Sequence, residues 1–587
     1  MGMGWIDWLI VIGLNGSIIA YGFYLARGNQ SSADWFLGGR SLPWWIVGVS
    51  MYATAIDASD LIADSGGTYV LGLTYFVANW VGTVVGWVLA AFFLFMPMYR
   101  AGMYTNAEYL EFRFGVSTRV LCAFVQVQYR TMVLGILGVS LFWTLRVVCD
   151  WSYLASMLTV IAVAIFASIY TAVGGLRSVV VTDALQFIVM SAAAVIVWTF
   201  IFQQAGGWSG IEEKLAAADP PAAELLHVNH DNVKREDVTS LDEEQRRRTL
   251  LLGGDLKQRG SLAEIQTTTP SWLVIMGFIV IGMTYPIVNH TQSNRMLASR
   301  SEWDLKMSAT VAGGCLIVMS FFNLTMGVMG RAMVPDVSSL PFENQDNIYP
   351  YLVSLIDTLG LKGIVVAGVF AASFSTFDSI GSSLSGLLTR DVYARLLVRN
   401  RDDRHYVRVG QLLTPLVIGI SFIYMPLLLR GGMLLFFLDV TITFVVPLLT
   451  LFLMGALTRV HPRSGTLGLL VGASYGVIRL AAPPVAQWCG ILLLPPIMIN
   501  TYAAYLFSMA ITAGTMVLFS LLAGWQEAGH RETWLEKDTD SWLYRSQLAI
   551  RELQPVDSVV QRYRRVPALL ALGVILLGAY LSFVVFW

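Results

Sequence analysis

Two stretches of this chain place reactive groups where apolar residues would be expected. In 371–391, "AASFSTFDSIGSSLSGLLTRD", Ala372, Ser375, Thr376, Ser379, Ser382 and Ser383 recur at helical spacing and share one helix face. Phe374, Phe377, Ile380 and Leu384 take the other face. A hydroxyl stripe in an apolar helix has two uses. It bonds a neighbouring helix, or it offers oxygens to a small hard cation such as Na+. In 53–67, "ATAIDASDLIADSGG", Asp57, Asp60 and Asp64 interrupt a run that otherwise reads as a membrane span. A carboxylate at a bilayer centre costs roughly 2.5–3.5 kcal/mol, so such residues mark ion or solute pathways. A third interruption is Tyr285-Pro286 in "GMTYPIVNHTQSNR". Helices unwound at such points expose carbonyls that ligate cations.

The elements that must hold these residues follow from composition. Of 587 residues, 56% are hydrophobic and 13% charged, against about a quarter charged in soluble domains. Mean hydropathy is +0.63. The expectation is an all-α integral membrane protein in a lipid bilayer. A net charge of −1 offers no field to nucleic acid. Cys122, Cys149, Cys315 and Cys489 lie in or beside apolar segments and read as small buried hydrophobes. No nucleotide-binding loop, catalytic triad or metal-hydrolase motif occurs, so no enzymatic activity is expected.

A hydrocarbon core of about 30 Å takes roughly 20 apolar residues per helix. About fourteen runs qualify: 5–26, 43–70, 74–99, 119–148, 153–173, 180–203, 271–294, 306–331, 350–389, 407–428, 432–458, 464–483, 492–524 and 565–587. Pro483, Pro484, Pro495 and Pro496 blur the edges around 464–500. The first run lacks a basic n-region and an A-x-A site, so it reads as a retained helix. Lys and Arg gather on one side, at Arg27, Arg40, Arg100, Arg113, Arg119, Arg177, Arg295, Arg300, Lys306, Arg390 to Arg408, Arg459, Arg463 and 531–565. That side is read as cytoplasmic, which places both termini outside in a multi-pass plasma (inner) membrane protein. The 204–270 segment is then an external, part-helical loop, whose His227, His230 and Arg246 to Arg248 read as a solvated cap.

The 43–203 and 271–458 segments form corresponding five-helix halves. They are flanked by a first helix and linker, 1–42, and by peripheral helices, 459–587. Each half opens on an interrupted helix. An odd number of spans per half inverts the second relative to the first, which is the pattern of inverted-repeat carriers with a site at the breaks.

Three motifs together, "SSADWFLGGRSLPWW" (31–45), "YTAVGGLRSVVVTDALQ" (170–186) and "FSTFDSIGSSLSGLLTRDVY" (374–393), resemble the sodium:solute symporter family of the sodium/glucose and sodium/proline carriers. The resemblance implies the leucine-transporter-like fold and Na+ as coupling ion. It places the principal sodium site on the carbonyls of Ala53, Ile56 and Ala372 and the hydroxyls of Ser375 and Thr376. Some members bind a second sodium. Here that position falls on Asp183, Ser375, Asp378 and Ser379, and Asp378 departs from the usual hydroxyl and takes either Na+ or a proton.

On the solute side, the family registers lead to Asp57, Asp60, Asn79, Arg130, Tyr285 and Asp439, with Ala55 and an apolar residue near Leu316 in place of polar contacts. Asp64 belongs to an outer gate or to the external vestibule, and Gly66 and Gly67 allow the turn. The pocket thus exchanges neutral amides for charges of both signs. Either Arg130 pairs with an aspartate inside the bundle, or the solute is itself charged or zwitterionic and Arg130 grips its carboxylate. The expected protein is a monomeric symporter that imports a small polar organic solute by alternating access. A sugar or polyol symporter of the same fold, a transporter-like sensor and a sodium channel or leak are the alternatives. The last apolar run ends at Trp587 without a soluble domain, which weighs against a sensor. Polar residues gathered at broken helices, rather than in rows along several, weigh against a channel.

Overall fold

The structure, a computed structural model, describes residues 3–26, 31–218, 222–229, 255–259, 262–266, 271–358, 360–429, 433–489, 491, 493–526, 539–552 and 563–587. Among these, eleven helices are long and apolar enough to cross a bilayer, and two bent pairs raise the total to 13. One helix, Tyr153–Ala205, runs for 53 residues, far more than the roughly 20 that one crossing needs. It is broken at Gly175, whose φ of 60° and ψ of −177° suit only glycine. Its two arms correspond to the expected spans 153–173 and 180–203 and complete the set of fourteen.

The bent pairs are the two interrupted spans. Trp44–Ala55 and Asp60–Tyr75 meet at 58°, and Trp272–Val288 and His290–Leu297 meet at 51°. Ile56 is extended at the first break, with φ −118° and ψ 110°. At the second, Pro286 removes a backbone donor. Asn289 then caps the following arm by accepting from the Thr291 N–H at 3.0 Å.

Several expected limits shift. The run at 350–389 divides into Ile348–Ser354 and Leu361–Leu387. Gly360, at φ 82°, makes the turn between them. Asp7 of the first span then caps the longer helix, accepting from the Gly360 and Gly363 N–H groups at 2.9 Å each. The blurred 464–500 region resolves into Ser464–Cys489, with Pro483 and Pro484 inside it, followed by Thr501–Ala523 after a break. The 204–270 segment is helical at Gly207–Ala216 and Ala223–Leu226. Asp255–Arg259 and Leu262–Gln266 pair as antiparallel strands with Asp255 opposite Gln266, a small exception to the all-α reading. His230 and Arg246 to Arg248 lie outside the described residues.

Glycines set the closest helix contacts. A Cβ on Gly327 would run into the Ser65 carbonyl and the Thr68 hydroxyl. Gly327→Ala will therefore lower stability by about 1–3 kcal/mol through overpacking, seen as a lower thermal midpoint in detergent. Gly314, whose Cβ would meet nothing within 4 Å, is the control, and its alanine variant will hold or raise the midpoint. Equal midpoints for the two variants would refute the close contact.

At the basic end, a charged cluster is sealed from solvent. Helix Asn106–Phe114 supplies Glu108 and Glu111, and helix Val116–Val147 supplies Arg119. The segment Leu388–Leu397, which continues the hydroxyl-bearing helix, supplies Arg390, Asp391 and Arg395. Arg119 lies 2.6 Å from Glu111 and 2.5 Å from Asp391. Arg390 meets Glu108 at 3.0 Å, and Arg395 meets Glu111 at 2.9 Å. Helix Trp542–Glu552 lies against this cluster, with Arg390 Nη1 donating to Ser546 Oγ at 3.1 Å.

Candidate functional site

The first break explains two of its three aspartates. Asp57 Oδ1 accepts from the Ser59 N–H at 2.7 Å and the Asp60 N–H at 3.3 Å. Asp60 Oδ2 accepts from the Asp57 N–H at 2.7 Å. This reciprocal pair is a capping box for the second arm of the span. Its charges stand at the positive end of that arm's dipole. Because the Asp57 and Asp60 N–H groups turn to side chains, the Ala53 and Ile56 carbonyls lose their helical donors.

The hydroxyl face stands beside those carbonyls. Ser375 Oγ lies 3.2 Å from the Ala53 carbonyl and 2.7 Å from Asp183 Oδ1, so its one proton serves one of the two. Thr376 is buried, and its hydroxyl stands at the Asp57 carboxylate, whose charge it helps to hold. Ala372 is buried on the same face. The Ala53 carbonyl, the Ser375 and Thr376 hydroxyls and the Asp57 carboxylate bring oxygen atoms alone to this point, a chemistry that suits Na+.

One turn further along, Asp183 collects several donors. Asp183 Oδ2 accepts from Ser50 Oγ at 2.5 Å and from Arg295 Nη2 at 2.9 Å. Thr54 Oγ1 and Ser379 Oγ each stand 3.4 Å from the same oxygen. Asp378 Oδ1 accepts from Ser379 at 3.1 Å, and its Oδ2 has no partner. The position expected for a second cation thus already receives the guanidinium of Arg295.

Beside the break lies a cavity of about 90 Å³, against the roughly 10–15 Å³ that one water requires. Asp57, Asp60, Asn79, Arg130 and Tyr285 all line it, as do Ala55, Asp64 and Leu316. Asp64 stands next to Tyr75. Arg130 is 2% exposed, with its guanidinium 5.7 Å from the Tyr129 ring centre and 5.8 Å from that of Tyr285. Its Nε and Nη2 have no hydrogen-bond partner; the Tyr129 hydroxyl stands beside it, and Asp57 and Asp60 face its charge without a direct ion pair. Tyr285 joins cavity to break: its hydroxyl donates to the Thr54 carbonyl at 3.0 Å and accepts from Gln292 Nε2 at 3.0 Å. Asp439 does not line this cavity. It pairs with Arg479 at 2.8 Å, because helix Ser464–Cys489 brings a buried guanidinium against it.

Sequence reading missed Arg295, Ser50, Gln292, Tyr75 and Arg479. Arg295 stood in "HTQSNRMLASR" as one more basic residue at a span end. The available signal was an Arg six residues after the break at Asn289 in an otherwise uncharged stretch. His227 belongs to no metal-binding cluster among the described residues.

Two broken spans crossing beside a buried hydroxyl face, with a polar cavity between them, define a secondary transporter of the inverted-repeat type. The model of the Sodium:solute symporter family matches residues 35–472, and the chain belongs to that family. It is 25% identical over 552 residues to sodium/glucose cotransporter 4 of Danio rerio, spanning 86% of this chain and 76% of that one. It is also 25% identical to sodium/myo-inositol cotransporter 2 of Rattus norvegicus, spanning 76% and 65%. A solved Na+-coupled sialic acid symporter shares the fold, with a TM-score of 0.68 at 18% identity, covering 88% of this chain and 98% of that one. The chain is a multi-pass, sodium-coupled symporter of a small molecule, with Na+ as its coupling ion.

Proposed function

We propose that this symporter imports a small organic solute bearing a carboxylate, zwitterions included. Arg130 carries the reading. A buried guanidinium needs anionic partners in a membrane interior; Asp57 and Asp60 face it across the cavity without a direct ion pair, and two of its nitrogens stand unused in the cavity wall. A solute carboxylate supplies two parallel bonds to such a fork. Asp60, more exposed than Asp57 or Asp64, takes an ammonium or hydroxyl. Asn79 and Tyr285 complete the polar contacts. Sodium sits on the Ala53, Ile56 and Ala372 carbonyls and the Ser375 and Thr376 hydroxyls. Arg295 answers the charge of Asp183, which leaves Asp378 beside Ser379 as the carboxylate for a second cation. Each inward Na+ charge gains roughly 2.3 kcal/mol per 100 mV of inside-negative potential. The basic side faces the cytoplasm of a plasma or inner membrane, both termini are outside, and the protein works as a monomer.

The test is uptake into proteoliposomes from a panel of amino acids, carboxylic acids, sugars and polyols, with and without a sodium gradient. A carboxylate-bearing solute will accumulate with sodium. Arg130→Gln will cut that uptake by about tenfold or more, the worth of one bidentate charged contact, while Na+ still raises the thermal midpoint. A second reading is a neutral sugar or polyol, supported by the named solutes of the relatives and by three carboxylates able to accept sugar hydroxyls. Sodium-driven uptake of a neutral sugar, unchanged by Arg130→Gln, would decide for it. Large sodium flux with no solute uptake would leave only a leak.

A further inference from the structure

Arg295 is a buried cation beside the first break that neither the sodium oxygens nor the solute cavity uses. It lies on His290–Leu297, the second arm of the second broken span, and is fully buried. Its Nε donates to Ser50 Oγ at 2.8 Å, its Nη1 to the Thr291 carbonyl at 2.9 Å, and its Nη2 to Asp183 at 2.9 Å and to Ser379. Ser50 belongs to Trp44–Ala55, the first arm of the first broken span. Asp183 belongs to Tyr153–Ala205 and Ser379 to Leu361–Leu387. One guanidinium therefore ties together the basic-side arms of both broken spans and two flanking helices. The other oxygen of the same aspartate faces Ser375 Oγ, the hydroxyl beside the Ala53 carbonyl.

We propose that Arg295 is a positioning residue that pins the basic end of the transport path shut and senses the sodium site through Asp183. Opening toward that end must part the two arms, and so must break the bonds of Arg295. The sensing rests on the sodium site proposed above. Sodium on the Ala53 carbonyl denies that oxygen to the Ser375 proton, which is then committed to Asp183. Asp183 is held, and Arg295 with it. Without sodium, Ser375 turns between the two acceptors and the pin is looser. Sodium binding therefore favours a closed basic end until the solute joins it.

The probe is sodium itself, so the solute need not be known. Radioactive sodium influx is measured in proteoliposomes without solute. In parallel, an Ala63→Cys reporter in the cavity wall, with the four native cysteines replaced by serine, is labelled by an impermeant maleimide from the basic face. Without Arg295 substitution, influx is low and sodium slows labelling. Arg295→Gln will raise both the solute-free influx and the sodium-free labelling by about tenfold, a typical coupling between sites, and sodium will no longer slow labelling. Arg295→Lys will fall between. A folded Arg295→Gln protein with unchanged influx and sodium-sensitive labelling overturns the proposal. Should Arg295→Gln fail to fold, Ser50→Ala carries the test. It removes one acceptor and keeps the Asp183 pair, so severalfold faster sodium-free labelling supports the pin and unchanged labelling overturns it. A protein whose midpoint does not respond to sodium sinks the sodium-site reading, and with it the sensing; the sodium-free labelling still decides the pin.

Discussion

Arg119→Gln will destabilise the protein by about 3–5 kcal/mol, the loss expected when one member of a buried ion network is removed. Arg119 is fully buried and stands within 2.6 Å of Glu111 and 2.5 Å of Asp391, with Glu108 at 3.5 Å. Without it, Arg390 and Arg395 still answer Glu108 and Glu111, but among the described residues Asp391 keeps only the Thr105 hydroxyl, at 2.9 Å. An uncompensated carboxylate at the junction of three segments is the damage. Arg100→Gln is the contrast. Its pair with Glu302 is 63% and 39% exposed, and solvent-screened pairs contribute about 0–1 kcal/mol. Thermal unfolding in one detergent at one salt concentration reads both. Similar small shifts for the two variants would mean that the cluster is hydrated and its burial irrelevant.

Thr376→Val will weaken sodium binding beyond its cost in stability. The Thr376 hydroxyl is buried beside the Asp57 carboxylate, which it helps to hold. Losing a hydrogen bond to a charged group costs about 1.5–3 kcal/mol. The sodium-free variant will therefore unfold at a lower temperature than the parent. Its response to sodium will weaken, because one oxygen of the donor set is gone. If that oxygen contributes as a hydrogen bond to a charge does, about 1.5–3 kcal/mol, apparent sodium affinity falls by roughly ten- to a hundredfold, and sodium-driven uptake falls with it. Ser383→Ala is the control, since that hydroxyl returns to the Ser379 carbonyl of its own helix at 2.7 Å. A parent-like sodium response in Thr376→Val would remove Thr376 from the ion site.

Much of this architecture was legible from local pattern. Spans of roughly 20 apolar residues announce themselves because a bilayer demands that length. The breaks were legible as well, since aspartates and a proline within apolar runs violate what a continuous span tolerates. The capping role of Asp57 and Asp60 was legible in principle: an acid three residues after an Asp is a helix-start signature. The pairings were not. Asp183 and Arg295 are 112 positions apart and Asp439 and Arg479 are 40 apart, so nothing local links them. The family register points to Asp439 as a solute contact because it stands where an amide would be, and a register carries no sign of the Arg479 guanidinium that pairs with it. Limits beside Gly360 and Pro483 also escaped, because apolarity runs on through a turn or a proline that only the backbone conformation distinguishes.

The Tyr285 hydroxyl, bonded to the Thr54 carbonyl one residue from Ala53, has a thermodynamic consequence. Tyr285 lines the solute cavity, and its hydroxyl reaches the broken backbone at 3.0 Å. At the proposed sites, ion and solute stand on two sides of the same short piece of chain. Linkage then binds their affinities: whatever factor sodium adds to solute affinity, the solute adds to sodium affinity. Four dissociation constants, each ligand alone and each with the other saturating, must close one square. Three of them fix the fourth, so an unidentified solute will announce itself first as a change in how tightly the protein holds sodium.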